Sequence, residues 1–132
     1  MTVGIDTNVL VRYLAQDDPH QAAAADVFMN GLSEQAPGFV SLVTVLETYW
    51  VLTRSYGVSQ DDVLDIIDRF LTSVELEVEG ADVVRRGLRL AGAGADFSDA
   101  LIAEAGRAAG CSATVTFDRR AASRAGMVLL DA

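Results

Sequence analysis

Thr2-Val3-Gly4-Ile5-Asp6-Thr7-Asn8 opens the chain, and the fold class follows from how it is read. Thr2 to Ile5 is a short, mostly apolar run that stops at polar residues, the pattern of a buried strand. Val9 to Ala15 continues as a short helix. Asp18-Pro19-His20-Gln21 then supplies an N-cap, a proline at the first helical position and a capping-box partner for a helix through about Leu32. The same alternation recurs downstream. Gly38 to Val40 reads as a strand, and Ser41 caps a long apolar helix running to about Tyr56, where Gly57 stops it. Ser59 opens a helix from Gln60 to about Ser73, and Leu76 to Val78 is a third strand. A helix from Ala81 to about Ala91, with its arginines outward, breaks at Gly92-Ala93-Gly94-Ala95. An Ala-rich helix, Asp96 to Ala109, closes at Gly110. Ala113 to Phe117 is a β-branched strand meeting Asp118, a short helix runs to Ala125, and Met127 to Leu130 is the last strand. Strands alternating with helices predict an α/β fold: a mainly parallel sheet of four or five strands, covered by helices on both faces in three layers.

With 132 residues, 51% of them apolar, the chain is expected to form one domain, 1–132, with a core that needs no staples. Cys111 and His20 are each the sole residue of their type, which excludes a disulfide framework and a Cys/His zinc site and fits a reducing cytoplasm. All 10 basic side chains are arginine. Without lysine there is no Schiff-base chemistry, no Walker A phosphate loop and no kinase or phospho-receiver machinery. A net charge of −9 argues against gripping nucleic acid through a broad basic surface, so a nucleic-acid substrate would require recruited cations or a basic partner. No apolar stretch approaches a membrane span, and the first residues do not read as a signal peptide.

In parallel sheets the ligand crevice lies beyond the carboxyl ends of the strands. Asp6 and Asp118 stand at such ends. Glu47 falls between Val43 and Val51 on an otherwise apolar helix, so a partly enclosed carboxylate is expected there, with Arg54 two turns on. Asp96 and Asp99 share a face of the following Ala-rich helix. Each acid also has a structural reading. Asp96 and Asp118 suit N-caps, and Asp99 suits the positive end of a helix dipole. Acids so placed, with no lysine to pair them, repel unless divalent cations bind. Hard oxygen ligands suit Mg²⁺ or Mn²⁺, ions whose shell substrate phosphates complete, and that chemistry is phosphodiester hydrolysis by an activated water. Thr7, Asn8 and Thr116, next to these acids or two residues away, are candidates for orienting carboxylates and water, or are simply turn formers at strand ends. The acids are expected to converge although they lie far apart in sequence.

Asp6-Thr7-Asn8-Val9-Leu10, Leu46-Glu47, Asp96-Phe97-Ser98-Asp99-Ala100 with Leu101-Ile102-Ala103, and Thr116-Phe117-Asp118 together resemble the PIN-domain nucleases, in particular the VapC toxins of bacterial toxin–antitoxin pairs. The resemblance covers almost the full chain. It implies a PIN-like fold and a Mg²⁺- or Mn²⁺-dependent endoribonuclease acting on single-stranded RNA, usually a homodimer, inhibited by a cognate antitoxin. Position by position it implies Asp6, Glu47, Asp99 and Asp118 as catalytic metal ligands, with Asp96 a further candidate. Arg12, Arg54, Arg119 and Arg120 are candidates for RNA contacts by their nearness to these acids.

Other features carry less. Gly92-Ala93-Gly94 follows a helix and lacks a third glycine, so it reads as a loop instead of a dinucleotide fingerprint. His20 is expected to be solvated, and Cys111 to pack at a strand entry. Tyr49 and Trp50 suit the core or an oligomer contact, with base stacking the sharper alternative. The competing functions are a stand-alone PIN-type RNA-processing nuclease without an antitoxin, and a non-catalytic interaction module using the acidic pocket.

Overall fold

The computed structural model describes residues 1–131, which form two compact units: Met1–Glu79, and the chain from Gly80 onward. The first is built on a parallel three-stranded sheet in the order β1 (Val3–Gly4), β2 (Gly38–Val40), β3 (Leu76–Val78). Val3 is in register with Gly38, which in turn pairs with Leu76. The ladder reaches one residue further, because Ile5 N–H donates to the Phe39 carbonyl at 2.9 Å. Gly38 makes room at this crossing. A Cβ there would stand 2.5 Å from Ile5 Cδ1 and 3.0 Å from Leu32 Cδ1, so the ends of these side chains would have to turn aside.

Four helices complete this unit: α1 (Thr7–Ala15), α2 (Pro19–Asn30), α3 (Leu42–Trp50) and α4 (Gln60–Thr72). Their starts are fixed as the sequence predicts. Asp18 accepts from Gln21 N–H, Ser41 from Thr44 N–H and Ser59 from Asp62 N–H, each satisfying a backbone donor that the first turn leaves without a partner. Leu10, Val11, Val40, Val45, Leu52, Val63 and Ile67 form the buried core. The long helix expected to Tyr56 is α-helical only to Trp50 and continues as a π-helical turn over Val51–Ser55. Thr48 and Thr53 hydroxyls donate to the carbonyls of Thr44 and Tyr49, both at 2.7 Å, which competes with the regular backbone ladder in these turns.

The second unit contains α5 (Ala81–Gly92), α6 (Phe97–Ala108), β4 (Val115–Thr116), α7 (Arg119–Ala125) and β5 (Val128–Leu129), with β4 and β5 parallel. Gly87 lets α5 approach α6 closely, since a Cβ there would lie 3.3 Å from Leu101 Cδ2. Phe97 is fully buried, and Ala95, Ala100, Ala103, Ala121, Ala125 and Met127 form a buried cluster with Leu90 packed against it. Glu104 is buried in α6, with Arg107 Nε at 3.3 Å and Arg86 Nε at 3.8 Å from its carboxylate. One of the α5 arginines therefore faces an ion pair and not open solvent.

The mainly parallel α/β expectation holds. The hydrogen-bonded ladders fall into a three-stranded and a two-stranded set; β2 and β3 have the predicted bounds, whereas β1, β4 and β5 are shorter than the runs that signalled them. Ala113–Phe117 reduces to Val115–Thr116, and Cys111 is exposed instead of packed, since the chain around it is a surface loop. No helix among the described residues is long and apolar enough to cross a membrane.

Candidate active site

In the first unit the sequence motif Asp6-Thr7-Asn8 forms the turn from β1 into α1. Asp6 is the N-cap of α1, in extended conformation, and its Oδ1 accepts from Thr7 N–H at 2.8 Å. Thr7 is buried beneath it and donates its hydroxyl to Glu47 Oε1 at 2.6 Å, across 40 residues of sequence. That short bond to an ionised acceptor fixes one oxygen of Glu47. Asp6, Thr7, Asn8, Val11, Arg12, Glu47, Val51 and Tyr56 line a cleft of about 390 Å³. The motifs meet here at one strand end and one helix face: the expected pair Asp6 and Glu47 shares this cleft, with Thr7 and Asn8 beside it.

Glu47 itself is exposed, a correction to the enclosed carboxylate expected from its apolar neighbours. The physical reason lies in the same helix face, where Val43 is also exposed: an apolar stripe in sequence is here a surface of the unit. Arg12 lines the cleft. Arg54 does not; its guanidinium lies over the Trp50 ring, 5.1 Å from the centroid. Tyr49 is core, as expected. Tyr56 is the residue the motifs missed. It follows an apparent helix end and precedes Gly57, and nothing in that context signals a cleft wall.

In the second unit Asp96 is the N-cap of α6 and accepts from Asp99 N–H at 3.1 Å; it also accepts the hydroxyl of Ser98. Asp99 lies in the first turn, partly buried. Burial pushes its carboxyl above the usual range, and the charges of Asp96 and then Asp118 push it further the same way. Asp118 is the N-cap of α7. Its Oδ1 accepts from Arg120 N–H at 2.8 Å and Ala121 N–H at 3.2 Å, while Thr116 Oγ1 accepts from Asp118 N–H at 3.0 Å. The structural readings of Asp96 and Asp118 as caps are therefore correct. Arg119 and Arg120 are exposed.

The donor set suits a hard divalent cation in kind: carboxylate oxygens, with Asp99 destabilised as an anion by burial and then by Asp96 and Asp118. Among the described residues, neither unit by itself gathers three His, Cys, Asp or Glu side chains tightly enough to chelate an ion. Mg²⁺-type ions tolerate this, since they keep several waters and take few protein ligands.

No curated protein matched the chain at the level of sequence. The family model described as PIN domain matches residues 3–127, a span that takes in the Asp6, Glu47, Asp99 and Asp118 motifs. PIN domains are generally dependent on divalent metal, in keeping with these carboxylates. The chain belongs to the PIN-domain nuclease family.

Proposed function

We propose that this PIN-domain protein is a Mg²⁺- or Mn²⁺-dependent endoribonuclease, acting as a VapC-type toxin whose activity a cognate antitoxin restrains. The observation that carries the reading is the cleft shared by Asp6 and Glu47, where the Thr7 hydroxyl holds Glu47 Oε1 at 2.6 Å, because oriented carboxylate oxygens are the donors a hard divalent cation takes. Asp6, Glu47, Asp99 and Asp118 are the residues that would hold the ions, with Asp96 as a further ligand. Bound divalent ions supply an acidified water and neutralise charge developing on the phosphoryl group. The chain's own residues do the rest. Thr7 holds Glu47 by its hydroxyl, and Ser98 occupies Asp96. Thr116 ties the backbone of Asp118, so these carboxylates are pre-oriented before substrate arrives. Asn8 and Arg12 present polar groups to the same cleft as Asp6 and Glu47. Arg119 and Arg120 are exposed for RNA contact, whereas Arg54 serves Trp50. A small basic antitoxin segment placing an arginine among the acids would displace the ions, and the working form is a cytoplasmic homodimer.

Cleavage of defined single-stranded RNAs with Mg²⁺ or Mn²⁺, abolished by chelator and by Asp6→Asn, is the expected result. Growth arrest on expression, relieved by coexpressing the adjacent small gene, tests the toxin role. Harmless expression with persistent RNA cleavage would replace it by a stand-alone processing nuclease. Failure to cleave any RNA with either metal would remove the nuclease reading.

A further inference from the structure

Tyr56 takes no part in the carboxylate chemistry, yet it forms a wall of the cleft that contains Asp6, Glu47 and Arg12. The π-helical turn Val51–Ser55 delivers it there, ending with Tyr56 N–H donating to the Val51 carbonyl at 3.3 Å. Such a turn re-aims the side chains that follow, and it recurs at functional sites. The phenol is tied at its hydroxyl, which donates to Asp17 Oδ2 at 2.8 Å and accepts from Arg12 Nη1 at 3.1 Å. Arg12 is fixed in turn by donating Nε–H to Gln21 Oε1 at 2.7 Å, with Asp17 Oδ1 at 3.7 Å. The bond to Asp17 holds the phenol above its usual range, and the same bond holds the Asp17 carboxyl below its own. Tyr56 and Asp17 therefore each keep one charge state through neutral pH. Tyr56 remains 37% exposed, so its ring is anchored by the edge and not buried in a core.

A ring fixed in this way beside acids and a guanidinium has the chemistry of a stacking wall. The charge of the chain strengthens the point. At −9 it cannot hold a polyanion by a broad basic surface, whereas stacking contributes affinity without charge. We propose that Tyr56 is a nucleobase-stacking residue, receiving an unpaired base of the RNA beside the phosphate served by Asp6 and Glu47, with Arg12 braced against it. The inference rests on the nuclease reading and deepens it. Bases already stacked in a duplex cannot turn onto the ring, so Tyr56 selects for single strands.

The test is steady-state cleavage of a short single-stranded RNA with Mn²⁺, using Tyr56→Ala and Tyr56→Phe. Tyr56→Ala is expected to raise KM about tenfold with kcat within about twofold, within the range that stacking loses on alanine substitution. Tyr56→Phe, which keeps the ring, should bring KM back to within about threefold of the wild type. Abasic substitution one position at a time near the cleaved bond supplies a readout that a purely structural role would not move. One abasic position should raise the wild-type KM to a similar extent and add nothing in Tyr56→Ala. If wild-type cleavage is robust and Tyr56→Ala leaves KM unchanged, or if abasic penalties multiply at every position, the stacking role is overturned while the nuclease reading stands. If the wild type cleaves no RNA, both fall.

Discussion

Thr7→Val removes one hydroxyl and keeps the side-chain shape, which isolates the bond from Thr7 Oγ1 to Glu47 Oε1 at 2.6 Å. A hydrogen bond to an ionised group contributes roughly 1.5–3 kcal/mol. Glu47 is exposed and rehydrates when the donor goes, and Thr7 is 8% exposed, so the added methyl is not left in water. The net loss of stability should therefore be about 0.5–1.5 kcal/mol, a fall in Tm of about 2–4 °C for a chain of this size. Activity should suffer more. Groups that orient metal-binding carboxylates typically cost about 10- to 100-fold when removed, so RNA cleavage is expected to fall by that factor while the fold survives. Thermal melting by circular dichroism and initial cleavage rates with Mn²⁺ measure the two effects on one preparation. In a cycle with Glu47→Gln, the second substitution should add little to the first, because Thr7 acts through Glu47. Cleavage within about twofold of wild type, or effects of Thr7→Val and Glu47→Gln that simply multiply, would refute the orienting role.

Three further outcomes are expected. Asp118→Asn keeps the α7 cap and should retain stability while losing cleavage, whereas Asp118→Ala also removes acceptors for two backbone N–H groups and should cost about 1 kcal/mol in urea unfolding; equal stability of the two variants would contradict the cap. Because Asp99's carboxyl is raised in the folded state, its stabilising contribution is present below the ordinary value of 3.8 and is lost as pH rises through the folded value, so metal-free Asp99→Asn should gain Tm relative to wild type near pH 7 and lose that advantage in acid; a pH-independent difference in Tm sinks the crowding account. Gly38→Ala would place a methyl 2.5 Å from Ile5 Cδ1 and should destabilise by about 1–3 kcal/mol, measured by urea unfolding; a neutral result would mean that the ends of Ile5 and Leu32 turn aside at no cost.

Local chemistry was legible from the chain alone. Helix starts at Pro19, Leu42 and Gln60 follow from Asp18, Ser41 and Ser59, because a cap is satisfied by donors only two or three residues away. β2 and β3 appear where Gly38–Val40 and Leu76–Val78 predict them, and the Asp6, Glu47, Asp99 and Asp118 motifs led to the family that the match over 3–127 shows. What tertiary structure alone decided involves partners distant in sequence. The Thr7 hydroxyl meets Glu47 across 40 residues, and Tyr56 meets Asp17 across 39; no local pattern encodes either pairing. Exposure is of the same kind. Val43 and Glu47 lie on a helix whose composition reads as buried, yet both are exposed, because burial depends on which elements the fold lays over a face and not on the face itself. The turn at Val51–Ser55 is α-helical by propensity and π-helical in the fold, where Tyr56 is tied to Asp17 and Arg12 beyond its end. Capping and periodicity are short-range and so reside in the sequence, whereas the cleft wall exists only once chain segments far apart have closed on one another.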